Sequence, residues 1–273
     1  MRAFAVATLC LVATPVLSQE NPSASHCIAI ADAAPGIEYV QKASWRAPLP
    51  DDFTVRLRYI DHSMFLIQAP DGTNAVTDYY GYLGQTDFVP DIATMNRAHS
   101  THWTANPDPR IENLLEGWGD GAAPNLHNMT VGEMRVRNVP TDIRMGRGVE
   151  PFGNSIFVFE VAGLCIGHLG HLHHEPDDRQ YAALGRLDVV MAAVDGRMTV
   201  DIPTMVRTLT RLRSSVVLPM HWFGQATLAR FLDQISGDFA IDIRDASEYE
   251  VSLRSLPDTP TVVVLRPAFL EAE

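Results

Sequence analysis

The apolar pattern of this chain changes near residue 177, and the change limits the architectures open to it. Before it, short runs alternate apolar and polar residues: VRLRYI at 55–60, SMFLIQA at 63–69 and NAVTD at 74–78, with the turn PDG between the last two. A beat of two predicts half-buried strands. MTVGEMRVRNVPTDIR (129–144) reads as more strand, and NSIFVFEVAGLCIGHLG (154–170) as a strand, a glycine turn and another strand. From DDRQYAALGRL (177–187) onward the pattern alternates. That helix precedes the apolar run DVVMAAV. The helix IPTMVRTLTRLRSS precedes VVLPMHWF, an apolar strand ending in histidine. The helix QATLARFLDQI follows, and TVVVLR is a last strand. Strands first and alternation afterwards predict two packed sheets with helices outside.

The 273 residues suit one medium domain or two small ones, and are enough to bury a sizeable core. A net charge of −12 argues against a nucleic-acid partner, and no basic run offers itself to an acidic membrane. Lys42 is the only lysine, which argues against Schiff-base chemistry and a P-loop. The first 18 residues, MRAFAVATLCLVATPVLS, combine one charge at Arg2 with a short apolar run and small or apolar residues before Gln19. They read as a signal peptide cleaved after Ser18, so the mature protein is expected in the periplasm or secreted, without a membrane anchor. Residues 19–50, rich in Ala, Pro and Ser, read as an N-terminal extension, and 51–273 as the folded domain. Cleavage leaves Cys27 and Cys165, which export allows to bridge and which read equally well as two buried thiols.

The stretch GHLGHLHHEPDD (167–178) places His168, His171, His173 and His174 within seven positions, directly after an apolar strand. Other histidines also lie at strand ends or turns: His62 in YIDHSMF, His99 and His102 in NRAHSTHW, and His221 in LPMHWF. Imidazole is the commonest metal ligand, and catalytic zinc takes about three protein ligands that can come from distant segments. His26 and His127 read as exposed and incidental.

With these residues in place, residues 53–268 resemble the metallo-β-lactamase fold, within it the branch similar to ascorbate-6-phosphate lactonases and related hydrolases. The resemblance implies a four-layer αββα sandwich of two mixed sheets with outer helices. The family signature H-x-H-x-D-H aligns with RAHSTH (97–102), so Arg97 stands for the first histidine and Thr101 for the aspartate, while His99 and His102 remain. The branch's HLGDLGH turn reads HLGHLHH here, with His171 in place of the bridging aspartate, and LPMH supplies the last ligand, His221. The midway histidine falls near NVPTDIR, where Asp142 is the nearest substitute. GNSIFVFE, with Asn154, is the strand that follows in the branch.

The resemblance also implies roles for neighbouring residues. Asp78 is either a partner orienting a ligand histidine or a turn cap. His62 either approaches the pocket rim or sits in a turn. One of His173 and His174 lines the pocket. HWTANPDPRIENLLEGWGDG forms a loop and helix over the site, with Trp103 and Trp118 in a pocket wall or in the core. Asp195 and Arg197 face the site, and Arg97, Arg144 and Arg147 are candidates to meet an anion. An always-protonated guanidinium at Arg97 abolishes the first of two metal positions. The second survives as one divalent metal, zinc or else manganese or iron, on His102, His171 and His221, with His99 as fourth ligand or proton carrier. The expected protein is a hydrolase of a small, possibly anionic lactone, ester or phosphoester, in which Arg97 stabilises the oxyanion and His99 or Asp142 is the base. The alternative is a non-catalytic ligand-binding protein on the same fold.

Overall fold

The computed structural model describes residues 25–28, 45–96 and 99–272. The expected leader (1–18), most of the extension and Arg97 lie outside the described residues. Two sheets carry the fold. The first has six strands in the order β14-β1-β2-β3-β5-β6: β1 Val55–Asp61, β2 Met64–Gln68, β3 Asn74–Val76, β5 Ile92–Met95, β6 Asn113–Glu116 and β14 Glu248–Val251. The second has eight in the order β13-β15-β12-β11-β10-β9-β8-β7: β7 Asn128–Val131, β8 Met134–Met145, β9 Gly148–Val161, β10 Leu164–His168, β11 Val189–Ala193, β12 Val216–Met220, β13 Ala240–Ile243 and β15 Thr261–Val264. A small pair, β4 Gly84–Gln85 and β16 Leu270–Glu271, sits apart.

The period-two beat sorts side chains between three cores. Leu57, Phe65, Ile67, Phe157, Phe159, Ile166, Met191 and Leu218 meet between the sheets. Their sequence neighbours Val158, Cys165, Val190 and Val217 turn to the other face of the eight-stranded sheet. There they meet the helices α1 Asp178–Leu184, α2 Ile202–Leu212 and α3 Gln225–Ile235. Buried on both faces, β11 (VVMAA) and β12 (VVLPM) are apolar throughout, as parallel strands in a covered sheet must be. Two of the three helices start where side-chain acceptors meet their free N–H groups: Asp177 and Gln180 form a capping box on α1, and Asp201 caps α2 through the Thr204 N–H, while α3 begins at Gly224 without a side-chain cap.

The expected sandwich of two mixed sheets is the architecture observed. Its helices lie on the eight-stranded sheet. The outer face of the six-stranded sheet is covered, among the described residues, by Trp45, Tyr79, Leu83, Phe88, Ile111 and Leu270. The helix expected after the signature segment is absent among the described residues 99–127. A loop leads instead into β6, whose Asn-Leu-Leu-Glu pairs in parallel with β5. Trp103 and Trp118 pack against this outer core, edge to face at 6.1 Å, rather than forming a pocket wall. Cys27 and Cys165 are bridged, which fastens residues 25–28 to the start of β10. Buried Trp45 likewise packs a piece of the expected extension against the domain.

Candidate metal centre

In the six-stranded sheet, β1, β3 and β5 point the same way, and in the other sheet β10, β11 and β12 do. Their C-terminal ends meet at one edge of the sandwich, the place where open α/β sheets form binding crevices. His62 follows β1, Asp78 follows β3, His99 and His102 follow β5, His171 follows β10, Asp195 follows β11 and His221 follows β12. The two sheets are tied at this edge by the His221 N–H donating to the His62 carbonyl at 2.8 Å and by His168 Nε2 donating to the Ser63 carbonyl at 2.8 Å. His62, Asp78 and His221 have positive φ (46°, 45° and 60°), an uncommon and strained conformation for residues with a Cβ. Such strain persists where the surroundings over-determine a residue, and it clusters at functional sites.

Five imidazoles converge there. The His62 and His221 ring centroids are 3.9 Å apart, His99 and His102 4.5 Å, His102 and His221 5.1 Å, and His171 lies 4.9 Å from His102 and 5.0 Å from His221. One ring nitrogen from each of His62, His99, His102 and His221 lies within 4.8 Å of the others. His102 Nδ1 donates to Asp78 Oδ2 at 2.5 Å, with the Ser63 hydroxyl 3.1 Å away. That places a hydrogen on Nδ1 and leaves Nε2 as the nitrogen that can offer a lone pair; it is buried and has no hydrogen-bond partner among the described residues. His221 repeats the arrangement more loosely. Its Nδ1 lies 3.3 Å from Asp195 Oδ1, and its Nε2 is also buried and unpaired. His62 Nε2 is the third such atom.

Unpaired buried nitrogens are costly, and native proteins rarely keep them without a ligand or water. Burial, reinforced by neighbouring imidazoles, holds His62 down at about 3 and His99 at about 4, and depresses His171 as well. Burial pushes the carboxyls of Asp78 and Asp195 up, but it is outweighed, mainly by His102 and His168 around Asp78 and by His221 and Thr199 around Asp195, so both stay ionised. The result is a set of ring nitrogens facing one another, backed by two anions. That is the donor chemistry of a zinc centre, in which carboxylates orient the ligand imidazoles. The residues present therefore fit a divalent metal.

The remaining expected residues fall into two groups. Asp195 reaches the cluster through His221, whereas Arg197 offers Asp195 only its backbone N–H while its side chain is exposed. His173 touches His171 at 2.6 Å, while His174 is spent on the Glu175 carbonyl and the Asp142 N–H. His168 is a satisfied core histidine, its Nδ1 accepting from Gly170 N–H. The Asp142 carboxylate accepts from the Phe152 N–H at 2.9 Å across the irregular part of the β8–β9 ladder, and the Asp142 backbone N–H donates to His174 Nε2 at 3.1 Å, so neither bond reaches the cluster. Arg144 is exposed and holds the carbonyls of His173 and Thr199, and Arg147 is exposed near the hairpin tip.

Sequence reasoning missed Asn96, which is fully buried, donates to Asp78 at 2.8 Å and accepts from Ser155 N–H of the other sheet. Beside it, Gly170 has φ +60°, and a Cβ there would meet Asn154 Oδ1 at 2.5 Å and Asn96 Nδ2 at 2.6 Å. The glycine lets the turn close over both amides.

The Lactamase_B_3 family, described as a beta-lactamase superfamily domain, matches residues 56–221. Among solved structures, a metallo-β-lactamase superfamily protein from Thermotoga maritima is similar over 77% of this chain and 98% of its own, with 21% identity and a TM-score of 0.56. Igni18, a metallo hydrolase from the archaeon Ignicoccus hospitalis, is similar over 67% of this chain and 91% of its own, with 18% identity and a TM-score of 0.50. At these identities the structures show a shared fold. No curated protein matches the chain.

Proposed function

The chain belongs to the β-lactamase superfamily, and from that premise we propose that it is an exported, metal-dependent hydrolase of a small lactone, ester or phosphoester. The observation that carries the reading is that His62, His102 and His221 each keep a buried, unpaired Nε2 and each bring a ring nitrogen within 4.8 Å of the others. These three hold the metal. Zinc suits them, because the inward-facing donors are imidazole nitrogens and the nearby carboxylates are spent on the rings; manganese prefers oxygen ligands. When bound, the metal supplies Lewis acidity and lowers the pKa of a water held at the centre.

The chain's own groups do the rest. Asp78 and Asp195 keep the His102 and His221 rings oriented. His99, neutral and with its Nδ1 2.8 Å from the Thr101 hydroxyl, accepts the proton of the attacking water at Nε2. Arg97, two residues before His99 in the signature segment, stabilises the developing oxyanion. Phe223, 65% exposed with its ring 5.5 Å from His62 and 5.2 Å from His221, gives the substrate an apolar contact beside the centre. Export follows from the leader-like residues 1–18 and is supported by the Cys27–Cys165 bridge, a bond that persists in oxidising compartments. No helix among the described residues is long and apolar enough to cross a membrane.

The test is metal analysis of the purified mature protein together with hydrolysis of a panel of lactones, esters and phosphodiesters. One equivalent of zinc, with turnover lost to a chelator and restored by zinc, is the expected result. No bound metal and no turnover would overturn the reading.

A further inference from the structure

We propose that His171, which stands where the branch's HLGDLGH turn has its bridging aspartate, is not a metal ligand but the hydrogen-bond donor that meets the substrate's reacting oxygen, and that His173 holds it in that role. The inference rests on the metallohydrolase reading and deepens it.

The argument starts from a group that can only donate. The backbone N–H of Arg144 is hydrogen-bonded to His173 Nδ1 at 3.0 Å, so that nitrogen carries the lone pair and the neutral ring carries its hydrogen on Nε2. His173 Nε2 is 2.6 Å from His171 Nδ1, so it donates and His171 Nδ1 accepts. His171 must then carry its own hydrogen on Nε2, which lies 3.2 Å from His99 Nε2. His99 accepts there and turns its Nδ1–H to the Thr101 hydroxyl at 2.8 Å. The tautomer of every ring in the series is therefore set from one end.

Both nitrogens of His171 are thereby spent, one as an acceptor and one as an N–H, and a nitrogen bearing hydrogen cannot coordinate a cation. His102 is the contrast. Its Nδ1–H goes to a carboxylate and its Nε2 lone pair is left open. To coordinate through Nε2, His171 would need a hydrogen on Nδ1, and His173 would then have to accept at both nitrogens, which a neutral imidazole cannot do. The backbone holds the donor in place: His171 N–H donates to Asn154 Oδ1 at 2.9 Å, directly after Gly170. Once His99 Nε2 is engaged by the attacking water, the His171 Nε2–H is left facing the centre. There it serves the substrate oxygen on which charge develops, in the manner of an oxyanion-hole donor. His173 is a positioning residue that acts through His171.

The test is titration of chelator-treated full-length mature protein with Co²⁺, followed by absorption and metal stoichiometry, for the wild type and for His171→Ala and His102→Ala. His171→Ala is expected to bind one equivalent with affinity within about threefold of wild type. On the best substrate of the panel its kcat falls by about 10²–10³, the usual loss for an oxyanion donor, with KM little changed. His102→Ala loses the metal. His173→Gln, whose amide can still accept from Arg144 and donate to His171, keeps near-wild-type kcat, whereas His173→Ala does not. Loss of metal from His171→Ala as complete as from His102→Ala overturns the proposal. A wild type that takes up no Co²⁺ overturns the metallohydrolase reading itself. Long-range ¹⁵N–¹H spectra of the zinc-loaded wild type decide the matter without a variant: a hydrogen on His171 Nε2 supports the donor role, and a hydrogen on Nδ1 contradicts it.

Discussion

Two buried polar clusters sit at opposite ends of β10, and they are built in opposite ways. At its start, Glu160 lies across the ladder from Cys165. Its carboxylate accepts from the Ser25 hydroxyl and from Arg137 Nε at 2.7 Å, with Arg135 at 3.8 Å and His26 at 3.6 Å. The rest of the Arg137 guanidinium caps the carbonyls of Ala183 and Leu184 at the end of α1. Beyond its end, His102 and His221 are fully buried and His62 half-buried in polar company, yet each leaves a buried nitrogen unmatched. One cluster closes on itself and fastens the N-terminal segment, two strands and a helix. The other holds its lone pairs open toward a shared space. The contrast separates a structural polar cluster from a binding one more sharply than burial or charge does.

The comparison can be broken first at the closed cluster. Glu160→Ala leaves the Arg137 guanidinium, only 8% exposed, without its anion. Orphaning a buried charge of this kind costs about 3–5 kcal/mol, read by urea denaturation, while zinc stoichiometry stays at one. A loss of metal with stability intact would reverse the roles assigned to the two ends. Opening the neighbouring Cys27–Cys165 bridge, which spans 138 residues of sequence, is expected to cost about 2–5 kcal/mol and again to spare the metal. Calorimetry of Cys27→Ala/Cys165→Ala against wild type, each with zinc, checks both halves of that statement.

At the open cluster the expected effects are on affinity. Asp78→Asn keeps the shape but removes the anion that orients His102, and weakens zinc by about 10–100-fold, measured by competition with a chelating dye. Unchanged affinity would make Asp78 a turn cap and no more. A further effect is on the pH dependence of the metal-free protein. His62, His99 and His173 lie at about 3, 4 and 4 in the fold, against 6.5 when free. The unfolded chain therefore takes up protons that the folded chain refuses, and stability falls as pH drops from about 6.5 toward 4. The Tm of chelated protein should be lower at pH 5 than at pH 7.5; a flat profile would mean that the rings are not confined together.

Much of the frame was legible because burial writes a period into the sequence. VRLRYI, SMFLIQA and VVLPM alternate between two cores, and the strands form where that alternation predicts. The strand β6 was not legible. Asn-Leu-Leu-Glu has no beat and good helix formers, and only pairing with β5 makes it extended. Within the centre, His102 and His221 stand out as histidines at strand ends. His62 reads equally well as a turn residue, since only the joining of the two sheets brings it within 3.9 Å of His221. Asn96 and its link between the sheets leave no pattern at all, because a buried amide is recognised by its partners and not by its neighbours in sequence.

The central claim is that the open nitrogens of His62, His102 and His221 share one cation. It is tested most directly by an anomalous-difference map at the zinc edge from crystals of the zinc-loaded protein. The account predicts a single peak among those three Nε2 atoms. A peak elsewhere, or none after loading with zinc, would contradict it.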